Sequence, residues 1–305
     1  MSKIEKAILK TLAFFDIFSR PLTLEELWHF LHQFKTSKYQ VLIGLRKLAK
    51  KGKILEKNDY FSLNFNRQIF RGYIRRRKIC QKNFQKARRY LGLLKILPFV
   101  KNISVINSLA FQSSDEKSDI DILLVTKKNR LWFTRALVVL VLEILGQNKN
   151  KWYRAGKFCL GFAFDEEVLN LKKFRLKNDI YFSYWLAMLA PVLDRGLYPR
   201  FIQKNAWIYD NLPNWQPEKN RLHAGNSWTE KIFRGALGDK LEKLLGTWQM
   251  KRIWQDPDML RPGGSVVADI HMLKIPGDKR AEYQGQWQER LKRLRISQSR
   301  AKSRG

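Results

Sequence analysis

The sequence predicts an α+β fold, and three observations carry that expectation. Apolar residues recur at helical spacing through most of the first 50 positions and close on a short hairpin. Short apolar runs bounded by polar residues mark strands in the middle of the chain, and the remainder returns to helical spacing. At 305 residues the chain can bury a sizeable core. The pattern divides into residues 1–65, a basic connecting helix over 66–97, a mixed sheet with helices over 98–200, and a helical C-terminal region with a basic tail over 201–305.

Ile4, Ala7, Ile8, Leu12 and Phe15 share one face of a first helix. Pro21-Leu22-Thr23 opens a second, with Thr23 and Glu26 in capping-box register; Ser37 and Gln40 repeat that spacing ahead of Val41, Leu42, Leu45 and Leu48. The third helix stops at Gly52, and residues 53–56 and 60–63 flank Lys57-Asn58-Asp59 as a hairpin. Three helices and a hairpin look like a winged helix-turn-helix. In DNA-binding members of that fold the third helix enters the major groove, so the resemblance implies nucleic-acid contacts by Lys38, Gln40, Arg46, Lys47, Lys50 and Lys51. Such modules also serve as protein contacts or as supports for a neighbouring domain.

Residues 67–95 hold eleven basic side chains and no acid, interleaved with Ile69, Phe70, Tyr73, Ile74, Phe84, Ala87, Leu91 and Leu94. The spacing predicts one long helix with an apolar stripe and a cationic remainder. A merely solvated face mixes signs, so a surface facing a polyanion is expected here.

Residues 103–106 and 120–125 read as two buried strands. Between them lie a small turn, Asn107-Ser108, and the pair Asp119 and Asp121. Alternate residues of a strand share a face, so both carboxylates point the same way with Cα atoms roughly 7 Å apart. Acids so placed can share Mg²⁺, a hard cation that takes carboxylate and phosphate oxygens.

The run Val105-Ile106-Asn107-Ser108-Leu109-Ala110, followed by Ser118-Asp119-Ile120-Asp121-Ile122-Leu123-Leu124-Val125, resembles the signature of the polymerase-β-like nucleotidyltransferase superfamily. That signature is Gly-Ser at a strand end, a gap, and Asp-x-Asp or Asp-x-Glu on the next strand. The resemblance implies a nucleotidyltransferase-type mixed sheet in which Asp119 and Asp121 are catalytic and hold Mg²⁺ or Mn²⁺. It also implies that Asn107, Ser108 and the adjoining backbone hold the triphosphate of an NTP.

Two positions depart from the signature. Asn107 stands where the superfamily has glycine, and asparagine is among the few other residues that tolerate a left-handed backbone. The third carboxylate, which active members carry on a later strand, has no counterpart within residues 158–164; Asp165, Glu166 and Glu167 follow at once. Asp165 is the expected third metal ligand if that strand runs toward the site. A helix over 129–146 carries Arg130, Trp132 and Arg135, and Arg135 is assigned to the triphosphate.

Asn178 or Asp179 caps a further helix over 180–189 whose Tyr184 and Trp185 fill core, with Pro191 at its end and a turn at Asp194-Arg195-Gly196. A helix over 228–254 is expected to break or bend near Gly235, Gly238 and Gly246. Arg261-Pro262-Gly263-Gly264 is a loop, and His271-Met272-Leu273-Lys274 offers a basic residue to an acceptor. Beyond Trp287 seven basic residues face one acid, the composition of a disordered or nucleic-acid-binding tail.

With 59 Lys+Arg against 27 Asp+Glu the formal charge is +32, which points to a polyanionic partner: DNA, RNA, a nucleotide triphosphate or an anionic membrane surface. Cys80 and Cys159 are the only cysteines, a usage that fits a reducing cytoplasm. The longest apolar stretch, 136–145, contains Glu143 and falls well short of the roughly 20 residues that span a bilayer, so no transmembrane segment is expected. No secretory signal and no zinc-ligand spacing are expected either. The function expected is transfer of a nucleoside monophosphate from an NTP to an acceptor. The alternative is a catalytically degraded fold of the same kind that binds nucleic acid or regulates.

Overall fold

A computed structural model describes residues 1–63, 68–150, 152–177, 179–217, 225, 227–255, 267–274 and 279–296. The Arg261–Gly264 loop and the chain from 297 onward lie outside the described residues.

The chain is mixed α+β. Helix α1 (Lys3–Asp16) starts at a Ser2/Glu5 capping box and α2 (Leu24–His29) at the expected Thr23/Glu26 box, after a two-residue strand β1 (Leu22–Thr23). Helix α3 (Lys38–Lys50) is capped by Ser37, whose hydroxyl accepts from the Gln40 amide, and ends before Gly52, which takes the left-handed backbone (φ +61°). Strands β2 (Leu55–Lys57) and β3 (Tyr60–Ser62) form the expected hairpin. Its turn residues Asn58 and Asp59 both have positive φ, the conformation that matches the twist of a two-residue hairpin. These strands make an antiparallel sheet in the order β1-β3-β2; β1 is too short to leave a pattern in the sequence.

Helix α4 (Gln68–Leu93) is continuous, as its spacing predicts, and buries Ile69, Phe70, Tyr73, Cys80, Ala87 and Leu91. The central region follows as β4 (Val100–Val105), α5 (Asn107–Ala110), β5 (Ile120–Thr126), α6 (Leu131–Ile144), β6 (Phe158–Asp165), α7 (Ile180–Ala187) and β7 (Ala190–Asp194). After α8 (Tyr198–Lys204), α9 (Ile208–Asn211) and α10 (Ala236–Trp254) come β8 (Val267–Ala268), β9 (Met272–Lys274) and α11 (Arg280–Arg293). The second sheet runs β7-β4-β5-β6-β9-β8. Among the described strands only β5 and β6 are parallel, joined by α6 as the crossover that parallel strands require.

Alternation along β5 sorts its side chains between two cores. Ile120, Ile122 and Leu124 pack with Leu131, Trp132, Val138 and Leu142 of α6 and with α4. Leu123 and Val125 face α7, α8 and a core that continues into α1, α2 and α3. Phe14 of α1 stacks on Tyr184 of α7 with centroids 4.1 Å apart, and Arg20 donates to the Phe111 carbonyl at 3.1 Å while pairing with Glu26 at 2.6 Å. The N-terminal helices are thereby fixed against the end of α5.

Three expectations change. Residues 190–194 form an edge strand rather than a helix end and turn, and the edge is where Pro191, with no N–H to donate, can sit. Trp228–Lys231 forms a short 3-10 turn and α10 begins after its N-cap Gly235, so the expected break falls there; further on α10 is continuous, and Gly246 lies where a Cβ would stand 3.1 Å from Trp132, so that glycine permits close approach instead of a bend. The start of the expected tail is the docked helix α11. Trp287 is buried and donates to the Lys10 carbonyl at 3.0 Å, and Arg290 pairs with Asp16 at 2.8 Å. Among the described residues no helix is long and apolar enough to cross a membrane.

Candidate functional site

Strand β4 leads into the Asn107-Ser108 turn, and β5 returns beside it, tied by the Ile106 amide to the Asp121 carbonyl at 3.0 Å. Asn107 adopts φ +55°, the left-handed backbone that a glycine would take at this position. Its side chain is fixed at both ends: Nδ2 donates to Asp121 Oδ2 at 3.1 Å, and Oδ1 accepts from Trp185 Nε1 of α7 at 3.0 Å. Ser108 Oγ shares a 3.1 Å hydrogen bond with Ser114 Oγ, and its carbonyl accepts from the Ser113 amide at 2.9 Å and hydroxyl at 3.1 Å. The turn and the acid pair are thus one connected unit.

Asp119 and Asp121 lie on the same side of the sheet, the side of Leu123 and Val125. Cys159, paired with Asp121 in the β5/β6 register, joins them, and ligand atoms of all three lie within 4.8 Å of one another. A fourth group enters from the chain that leaves α6. Residues 147–149 run alongside the start of β6, with Phe158 N donating to Gln147 O at 2.8 Å and Lys149 N to Phe158 O at 2.9 Å. This brings the Lys149 ammonium into an ion pair with Asp119 and within 3.6 Å of Cys159 Sγ.

The electrostatics follow from this crowding. Burial raises the Asp121 carboxyl above its ordinary value, the negative charge of Asp119 adds to the rise, and the Asn107 bond works against it. Burial, then the charge of Asp121, pushes the Cys159 thiol up to about 11, so at neutral pH it is protonated. Burial works against the Lys149 ammonium, but its bond to Asp119 and the surrounding negative charges raise it overall.

Asp165 is not part of this cluster. Because β5 and β6 are parallel, Asp165 lies level with Thr126 at the far end of the strands, roughly 20 Å along β6 from Cys159 at ordinary strand rise. There it accepts from the amides of Asn129 and Glu167, both at 2.9 Å, and contacts His271 Nδ1 at 2.8 Å. The expectation of a third carboxylate at the site fails on strand direction, and the same end holds His271, removing residues 271–274 from the acid pair. Glu166 and Glu167 remain there as well, Glu167 paired with Lys128 at 2.8 Å. Arg135 is engaged elsewhere: burial pushes its guanidinium down to about 10, against the charge of Cys159. Helix α6 covers the opposite sheet face, where Arg135 Nη1 donates to Gln249 Oε1 of α10 at 2.5 Å.

The donor set can be tested against the metals expected. Mg²⁺ and Mn²⁺ accept carboxylate oxygens, and Asp119 and Asp121 supply them; Mg²⁺ commonly keeps several waters and needs only one or two carboxylates from protein. Cys159 as a thiol adds nothing to a Mg²⁺ shell, whereas a softer ion such as Zn²⁺ would recruit its thiolate. Lys149 competes with any cation for Asp119. The two carboxylates therefore fit, with an internal ammonium to displace.

Sequence reading missed Lys149 and Cys159. For Cys159 a signal exists: a helical segment between two strands marks a parallel crossover, which would have set the first residues of β6, not the last, beside Asp121. Lys149 leaves no such mark, because its position depends on how the chain returns from α6. No protein-family model, curated protein or solved structure matches this chain.

Proposed function

We propose that the chain is a metal-dependent nucleotidyltransferase of the polymerase-β-like kind. The observation that carries the reading is the convergence of the Asp119 and Asp121 carboxylates beside a left-handed Asn107-Ser108 turn. Asp119 and Asp121 would hold Mg²⁺ or Mn²⁺, which when bound neutralises phosphate charge and orients the transferring group. The first amides of α5 have no intrahelical acceptor, and with the Ser108 hydroxyl they would bind the outer phosphates of an NTP. Lys149, released from Asp119, would turn to the same phosphates as a counter-charge. With Cys159 where a third acid is expected, acceleration rests on alignment and charge neutralisation rather than on a separate carboxylate base.

A second reading is favoured by Lys149 itself, which already sits as a cation between Asp119 and Cys159. In that reading the fold has lost catalysis and serves as a nucleic-acid-binding or regulatory module. The N-terminal helices and hairpin then act as a winged helix through Gln40, Arg46, Lys47 and Lys50. Lys38 and Lys51, the other two cations expected on α3 and its cap, are paired with Glu25 and Glu5. The deciding experiment is transfer of label from each of the four NTPs, with Mg²⁺ or Mn²⁺, to RNA, protein and small-molecule acceptors. Incorporation that disappears in Asp119→Ala and Asp121→Ala supports the enzyme; incorporation absent from the unaltered protein, or unchanged in both variants, rejects it.

A further inference from the structure

Beside the acid pair, the chain between α6 and β6 exposes two aromatic rings among cations. Trp152 is 87% and Tyr153 68% exposed, and Lys149, Arg154 and Lys157 lie in the same segment with no acid between 149 and 157. Two large exposed rings at adjacent positions are costly in water unless something covers them. The backbone beneath them is ordered: Asn150 Oδ1 accepts from the Trp152 and Tyr153 amides at 2.9 and 2.7 Å. The Gly156 amide donates to the carbonyl of Ser118, the residue before Asp119, at 2.8 Å, and Lys86 Nζ of α4 donates to the Gly156 carbonyl at 2.7 Å. The segment that carries the rings is thereby tied both to the chain entering the acid pair and to α4.

Helix α4 continues the cationic surface. Arg75, Lys78, Lys82, Lys86 and Arg89 follow at three- and four-residue steps and so share one face, a stripe roughly 20 Å long. Arg75 reaches Glu116 at 2.9 Å, in the loop that leads to Asp119, so the stripe runs beside that loop. Burial, then the like charges of Lys157 and Lys82, holds the Lys86 ammonium below its ordinary value, which marks a crowd of cations.

We infer that residues 149–150 and 152–157 and this face of α4 form a track for single-stranded nucleic acid, with bases stacked on Trp152 and Tyr153 and phosphates along Lys78, Lys82, Lys86 and Arg89. Resting on the transferase reading, the strand is the acceptor that presents its terminal hydroxyl to Asp119 and Asp121. A lone nucleotide needs one ring, not two rings and a stripe of this length. A second copy of the chain would bring +32 against +32. Unpaired bases offer open faces to aromatic rings, whereas a duplex keeps its bases stacked internally.

The test is fluorescence anisotropy of the full chain with labelled single-stranded RNA and DNA 12-mers, the matching duplexes, and vesicles containing phosphatidylserine, without NTP. The expected result is preference for single strands, weakened at least about tenfold in Trp152→Ala/Tyr153→Ala with its salt dependence little changed. Lys78→Glu/Lys82→Glu weakens binding and flattens the salt slope. Circular dichroism checks folding, and the substituted side chains are all exposed. Unchanged single-strand affinity in the ring variant, equal affinity for duplex, or ring-dependent vesicle binding without oligonucleotide binding overturns the track. Measuring transfer and binding together in the unaltered protein separates the two proposals: single-strand binding with no transfer from any NTP refutes the transferase and leaves the track standing. Transfer to other acceptors, but never to the end of a bound strand, refutes the acceptor assignment alone.

Discussion

Strands β5 and β6 present a carboxylate at either end, Asp121 where they begin and Asp165 where they finish, and the two are handled in opposite ways. Asp165 is fully buried and holds two backbone amides and an imidazole, closing the loop before α6 and the turn into β9. Asp121 accepts from Asn107 but is pressed against Asp119, so burial and repulsion both disfavour its charged form. A carboxylate whose lone pairs are occupied by fixed donors is a structural element. One held beside a like charge is poised to take a cation.

The largest effect that can break this comparison is on turnover. Asp121→Ala is expected to lower NTP-dependent transfer by about 10³-fold or more, about 4 kcal/mol of barrier, in a steady-state assay, while Asp165→Asn leaves the rate per folded molecule within a few-fold. Equal losses in both variants would erase the distinction. Next comes stability: Asp165→Ala strands the Asn129 and Glu167 amides and is expected to cost about 3 kcal/mol in urea unfolding.

At the other end the sign should reverse. Asp121→Asn relieves a charge that the fold disfavours, so the free energy of unfolding should rise by about 1 kcal/mol at neutral pH even as transfer is lost. The linkage has a matching sign. A carboxyl raised in the folded state binds its proton more tightly there than in the unfolded chain, so its penalty applies above the raised value and is relieved as pH falls through that value toward the ordinary one. Asp121→Asn should remove that dependence.

The smallest effect concerns Lys149. Lys149→Ala removes the ammonium that competes for Asp119, and Mn²⁺ affinity measured by calorimetry should tighten about threefold, about 0.7 kcal/mol. In the unaltered protein the affinity should fall as pH drops, since a proton on Asp121 excludes the ion. An unchanged or weakened affinity in Lys149→Ala would mean that the lysine helps to hold the ion rather than standing in for it.

The sequence by itself determined what local rules govern. The three capped N-terminal helices, the hairpin at Asn58-Asp59, the continuity of α4 and the shared face of Asp119 and Asp121 follow from periodicity, capping chemistry and the two-residue repeat of a strand. Asn107 could be assigned its left-handed backbone because few other side chains tolerate it. Tertiary structure decided which strands meet and in which direction. The parallel pairing of β5 with β6 placed Cys159 beside the acids and carried Asp165 to the far end, and the return from α6 delivered Lys149 to Asp119. Pro191 entered a strand because that strand lies at an edge, and α11 folded because Trp287 found a pocket on α1. Such choices are set by burial and hydrogen bonding between residues far apart in the chain, and a linear pattern holds no record of the partner.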